Sequence, residues 1–196
     1  TFKVFVGLAA LASGAITLRD KFNCPTSFSV GNHTFANWKK TGAGNLNFVE
    51  ALTQSCNTWF YQVALKTGAA PIIDYSNRLG LGKRTGIPLR SENSGNIPTD
   101  DYMLKVHNRK IKSGDVANMA IGQGDVLVTP LQMAQAMGAI ATGGVLHQTR
   151  LVKQVQGLDN KVIAAYSNRI REQIPIDPNI NAALREAMQD VVYDGQ

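Results

Sequence analysis

LNFVEALTQSCNTWFYQVA, running from Leu46 to Ala64, holds two helical patterns with a break between them. Leu46, Val49, Leu52 and Thr53 recur at the spacing of one helix face, and Trp59, Phe60, Val63 and Ala64 do so again after Asn57. The break is Ser55-Cys56-Asn57, a polar triplet presented at a turn between two helices. Gly68 is placed to close the second of them.

The same periodicity extends outward in both directions. Phe2, Phe5, Val6, Ala9 and Ala12 mark one face of an opening helix that ends near Gly14, which places Lys3 on a helix. Pro71 opens another helix that Gly80 closes. Thr129-Pro130 and Asp177-Pro178 each put a capping side chain before a first-turn proline. Helical spacing follows both, in Leu131, Ala134 and Met137 and in Ile180, Leu184, Ala187, Met188 and Val191. Residues 22–44 read as an irregular excursion and 82–98 as an ordered loop, both rich in glycine or proline. Strands are expected only at Leu151–Val155 and Val162–Ala164, joined by the turn Gly157-Leu158-Asp159-Asn160. Six helices and one hairpin suit the helical part of a mixed protein, because a lone hairpin is barely stable without a sheet to join.

Composition narrows the function classes. A chain of 196 residues with 44% hydrophobic content buries a real core and fits one domain or a large piece of one. The longest apolar run, Val4 to Ala12, is about half of the roughly 20 residues a membrane span needs. The net charge of +6 is spread along the chain without a basic block, so a nucleic-acid partner is not expected. Cys24 and Cys56 read as two small buried hydrophobes, with a disulfide as the alternative. His33, His107 and His147 are isolated from one another, and no spacing fits a metal site; neither metal nor cofactor is expected.

Motif order is more specific than any single triplet. Asn37-Trp38-Lys39-Lys40, Gly42 and Gly44 lead into Glu50-Ala51-Leu52 and Ser55-Cys56-Asn57-Thr58. Leu79-Gly80-Leu81-Gly82, Thr85-Gly86-Ile87-Pro88-Leu89, Glu92, Gly95 and Ile97-Pro98 come next. Gly114-Asp115, Asn118-Met119-Ala120-Ile121-Gly122-Gln123-Gly124 and Val128-Thr129-Pro130-Leu131-Gln132-Met133-Ala134 complete the series. This succession resembles the transpeptidase domain of class B penicillin-binding proteins, most like the elongation-type enzyme of rod-shaped bacteria, over nearly the whole chain.

The resemblance implies an α/β fold of the penicillin-binding protein and serine β-lactamase kind, a helical subdomain plus part of an antiparallel sheet, with this chain mainly α. It also implies a serine acyl-enzyme. Lys3 matches the lysine of Ser-x-x-Lys, one helical turn from the nucleophile on the same face, and is the candidate base. Ser55 matches the first residue of Ser-x-Asn, which passes a proton toward the leaving amine, and Asn57 matches its last, which binds substrate carbonyl and lysine. Read without the family, Lys3 is a solvated helix lysine, and Ser55 and Asn57 are residues that end and cap helices. Gly122-Gln123-Gly124 and Thr129-Pro130 read as scaffold.

Two family features are not in the chain: the nucleophilic serine, expected immediately before Thr1, and a Lys-Thr-Gly strand, expected after Gln196. Lys40-Thr41-Gly42 and Lys66-Thr67-Gly68 carry the letters of that third motif but not its order or strand setting. Residues 1–196 are therefore expected to be a partial transpeptidase domain, inactive alone. Absence of the sheet is expected to leave the Phe2-Phe5-Ala9 and Ile180-Leu184-Met188 faces uncovered. The parent is expected at the inner membrane, facing the periplasm, with peptidoglycan stem peptides, β-lactam antibiotics and a glycosyltransferase of the elongation machinery as partners. A penicillin sensor or β-lactamase-type hydrolase of the same fold, or a non-catalytic scaffold domain, is the alternative.

Overall fold

Helix α1 (Lys3–Ala12) is apolar on every side beyond its first residue, and a helix with no polar face has to be enclosed by protein. The computed structural model, which describes residues 1–193, encloses it: Phe5, Val6, Leu8, Ala9 and Ala10 are wholly buried. After α1 come β1 (Phe22–Asn23), the hairpin of β2 (Ser27–Val30) and β3 (His33–Ala36), and β4 (Asn45–Leu46), which pairs antiparallel with β1. Four helices then follow: α2 (Phe48–Thr53), α3 (Asn57–Thr67), α4 (Ala69–Arg78) and α5 (Asp100–His107). Beyond them lie α6 (Ser113–Ala120), α7 (Pro130–Ala141), β5 (Val145–His147), β6 (Gln154–Gln156), β7 (Val162–Ala165), β8 (Ile170–Gln173) and α8 (Pro178–Tyr193). β5 pairs with β8 and β6 with β7, both antiparallel.

α1 touches α2, α3, α4 and α8, and the core condenses around it. Phe48 of α2 and Trp59 and Phe60 of α3 are fully buried, with the Trp59 and Phe60 ring centres 4.9 Å apart, and the Trp59 indole N–H donates to the Leu46 carbonyl at 2.8 Å. Gly7 makes the approach of α1 to α2 possible: a Cβ there would overlap the Phe48 ring. α2 begins with a capping box, in which Glu50 N–H donates to Asn47 Oδ1 at 3.0 Å and Asn47 N–H donates to Glu50 Oε2 at 2.7 Å. Thr129 and Gln132 form the equivalent box at α7, with Pro130 in the first turn.

The 82–98 segment is an ordered loop, as expected. Glu92 accepts the N–H and O–H of Thr85 at 2.7 and 2.6 Å, and the hydroxyl bond holds its carboxyl below the usual range. Buried Gln132 donates to the carbonyls of Lys83 and Ser94.

Several expectations are corrected. Residues 22–44 are not irregular: they contain β1 to β3, with the β2–β3 hairpin turning at Gly31-Asn32, where Gly31 has φ +60°. The expected strand at Leu151–Val155 lies at Gln154–Gln156, and β5 and β8 form a further pair. α5 and α6 add two helices to the expected six. The faces expected to be uncovered are covered in part or in full: Phe2, Phe5 and Ala9 are buried by α1's neighbours, and Leu184 of α8 is buried where α8 packs on α1 and α2. Cys24 and Cys56 are not free thiols but a disulfide across 32 residues, with both cysteines 1% exposed. The bond forms because Cys24 follows β1, and β1 lies against α3, at whose start Cys56 stands.

Candidate active site

Lys3 is the only charged residue of α1 and is 8% exposed. Its Nζ lies in the turn between α2 and α3 and donates to Ser55 Oγ at 2.8 Å, to the Ser55 carbonyl at 2.7 Å and to Asn57 Oδ1 at 2.5 Å. The structure thus brings together all three residues singled out from the sequence, with Lys3 more than fifty positions from the other two. The Phe60 ring centre is 5.8 Å from the same nitrogen. All these acceptors are neutral, and among the described residues no ion pair includes Lys3. A cation removed from water without a counter-charge is disfavoured, and burial lowers the Lys3 ammonium to about 8.

The turn has a recognisable construction. Ser55 N–H donates to the Leu52 carbonyl at 3.0 Å and Cys56 N–H to the Ala51 carbonyl at 3.0 Å, the two bonds of a Schellman motif closing α2. The residue after the helix cap must then be left-handed, and Ser55 has φ +51° where glycine is the usual occupant. This conformation turns both the Ser55 carbonyl and its hydroxyl toward Lys3, although the residue as a whole is exposed. The reading of Asn57 as a helix cap is not how it is used: the cap of α3 is Cys56, whose Sγ accepts the Trp59 N–H at 3.3 Å, and Asn57 is the first helical residue. Its carboxamide oxygen is therefore available to Lys3.

Two residues quoted only as motif letters in the sequence belong to the same constellation. Asn37 Oδ1 accepts the Asn57 N–H at 3.0 Å, and the Trp38 indole N–H donates to the carbonyls of Gln54 and Ser55 at 3.2 and 3.1 Å. Their adjacency in Asn37-Trp38, a polar and an aromatic side chain directly after a strand, was the available signal. Gly122, in the segment read as scaffold, lies against the start of α1. It has φ +73°, and a Cβ there would stand 2.6 Å from Phe2 Cβ.

Two surface clefts lie apart from this group. One of about 530 Å³ runs between Gly86-Pro88 and the segments around Arg150 and Tyr166, and one of about 680 Å³ lies between the β2–β3 turn and the start of α6. Neither is lined by Lys3, Ser55 or Asn57. The letters Lys40-Thr41-Gly42 fall between β3 and β4, and Lys66-Thr67-Gly68 close α3, so neither is on a strand.

The family model described as the penicillin binding protein transpeptidase domain matches residues 1–196. The chain belongs to this family. The transpeptidase domain is similar to the peptidoglycan D,D-transpeptidase MrdA of Haemophilus influenzae, 35% identical over 159 residues, which are 80% of this chain and 24% of the relative. Among solved structures it resembles the penicillin-binding protein PBP2 of Helicobacter pylori in complex with MreC, at 31% identity and TM-score 0.78, covering 97% of this chain and 33% of that one. It also resembles PBP2 of Pseudomonas aeruginosa in complex with WCK 5153, at 26% identity and TM-score 0.85, covering all of this chain and 44% of that one. The domain spans about a quarter of the length of the curated relatives it matches. With its helices and antiparallel strand pairs it has the α/β transpeptidase fold. No helix among the described residues is long and apolar enough to cross a membrane.

Proposed function

We propose that the protein carrying this domain is a peptidoglycan D,D-transpeptidase of the elongation type. The observation that carries the reading is the buried Lys3 amine bonded at once to Ser55 Oγ and Asn57 Oδ1. A serine immediately before Thr1 is the nucleophile, three residues from Lys3 and so on its face of the helix. Lys3, with its proton affinity lowered to about 8, takes the serine proton as Oγ bonds to the carbonyl carbon of the penultimate D-alanine. The C–N bond to the terminal D-alanine then breaks, and the Ser55 hydroxyl relays the proton to the departing amine. The amine of a second stem peptide attacks the ester, releases the serine and completes the cross-link. Asn57 holds lysine and substrate carbonyl in register, and backbone amides stabilise the tetrahedral oxyanions. A Lys-Thr-Gly strand beyond Gln196 completes the site.

On this reading residues 1–196 are part of the domain and are not acylated alone. The substrates are peptidoglycan stem peptides, the inhibitors are β-lactam antibiotics, and the enzyme works at the inner membrane facing the periplasm beside a glycosyltransferase. The similarity to PBP2 of Helicobacter pylori in complex with MreC, and to a peptidoglycan synthase complex that coordinates polymerization and crosslinking, supports an elongation setting. A fluorescent penicillin tests the chemistry. The full-length protein is expected to be labelled and its Lys3→Ala variant not. Normal labelling of that variant refutes the role of Lys3, and labelling of the isolated 196-residue chain refutes the placement of the nucleophile.

A further inference from the structure

Asn57 has two functions in the geometry that depend on each other. Its side-chain oxygen faces Lys3, and its backbone N–H, at the first position of α3, has no acceptor within the helix. The cap that ought to secure this helix end is a disulfide sulfur, a weak acceptor, and it serves Trp59 rather than Asn57. The acceptor comes instead from outside the helix, from Asn37 Oδ1 at 3.0 Å.

Asn37 is itself held in place. Its N–H donates to the Thr26 carbonyl at 2.8 Å, continuing the β2–β3 hairpin, and its Nδ2 points to Cys24 Sγ at 3.5 Å. The oxygen is therefore the part of the amide aimed at α3. We propose that Asn37 is a positioning residue of the transpeptidase: by accepting the Asn57 N–H it anchors the start of α3, keeps Ser55 left-handed and keeps the Ser55 and Asn57 oxygens on Lys3. Without that acceptor the Asn57 carboxamide has a competing use, since asparagine side chains at helix starts turn to unpaired backbone N–H groups nearby. Each such turn takes an acceptor away from Lys3. The inference rests on the proposed roles of Lys3, Ser55 and Asn57.

The test compares Asn37→Ala with Asn37→Asp in the full-length protein. Aspartate keeps an acceptor oxygen at the same place, and alanine does not. Acylation by a fluorescent penicillin, measured at each variant's own pH optimum, is expected to slow about tenfold to a hundredfold in Asn37→Ala and to keep at least about a third of its rate in Asn37→Asp. In parallel, NMR of lysines labelled at Cε follows the titration of Lys3 and is independent of activity: the midpoint is expected to move in Asn37→Ala. Unchanged acylation and an unchanged Lys3 midpoint in Asn37→Ala overturn the proposal, as does an equal loss in both variants. If Lys3→Ala is acylated normally, the base assignment fails, and the NMR midpoint alone then decides whether Asn37 positions the turn. Should Asn37→Ala not fold, Asn37→Gln, which displaces the oxygen by one methylene, takes its place with the same expectation.

Discussion

Replacing Ser55 by glycine and by alanine separates the backbone of the turn from its chemistry. Both variants lose the hydroxyl that Lys3 donates to, so they differ only in how each residue tolerates φ +51°. An L-residue in the left-handed region is destabilised by about 1–2 kcal/mol, whereas glycine adopts it freely and loses roughly 0.4–1 kcal/mol through the entropy of its unfolded chain. Glycine is then the more stable variant by about 0.5–1 kcal/mol, the reverse of the order inside a helix, where alanine is favoured by about 1 kcal/mol. For a domain of this size that is a melting temperature roughly 1–4 °C higher in Ser55→Gly than in Ser55→Ala, measured by circular dichroism. In the full-length protein both variants are expected to be acylated by penicillin about a hundredfold more slowly than the natural sequence. Alanine equal to or more stable than glycine refutes the left-handed turn. Normal acylation of either variant refutes the role of the hydroxyl.

Because the Lys3 ammonium is lowered from 10.5 to about 8, the unfolded chain binds more protons than the folded one between those values. Stability is expected to rise with pH through that window and to lose this contribution below about 8, and penicillin acylation of the full-length protein to rise with pH around 8; a Lys3→Met variant that keeps the same stability slope counts against it. Replacing Cys24 and Cys56 together by alanine removes a cross-link over 32 residues and is expected to cost about 3.5–4 kcal/mol in urea unfolding, while no change would mean that the cysteines are not joined. Gly7→Ala gains helix propensity but overlaps Phe48, so a net loss of roughly 1–2 kcal/mol and slower acylation are expected, since Lys3 is one turn away; a more stable variant refutes the close approach of α1 and α2.

The helices around the site were legible wherever a local signal and a buried face agreed. α1, α3, α7 and α8 show apolar spacing of three and four, and Thr129 and Asp177 mark two of the starts. α5 and α6 escaped because burial shapes them little or late: only Met103 of α5 is buried, and α6 opens on Ser113-Gly114-Asp115. Thr99 before Asp100-Asp101 was a start signal all the same, with Thr99 Oγ1 accepting the Tyr102 N–H at 3.2 Å. The β2–β3 hairpin carried a Gly31-Asn32 turn between short β-prone runs. Lys3, Ser55 and Asn57 came from motif order, since nothing local in Thr1-Phe2-Lys3 says that its amine meets residues 55 and 57. The disulfide and the Asn37 contact are products of tertiary structure, because they join segments that have no shared periodicity.

The central burial of α1 has a consequence for how the constellation opens and closes. Amides in the middle of a helix enclosed on all sides exchange with solvent only when the whole domain unfolds, so the lysine's anchor has the full stability of the molecule. The α2–α3 turn lies at the surface and is retained by one disulfide, one hairpin and a few side-chain bonds. Hydrogen exchange is therefore expected to divide the constellation in two, slow at Val6 to Ala10 and fast at Ser55. Thermal opening leaves Lys3 in place and carries its acceptors away.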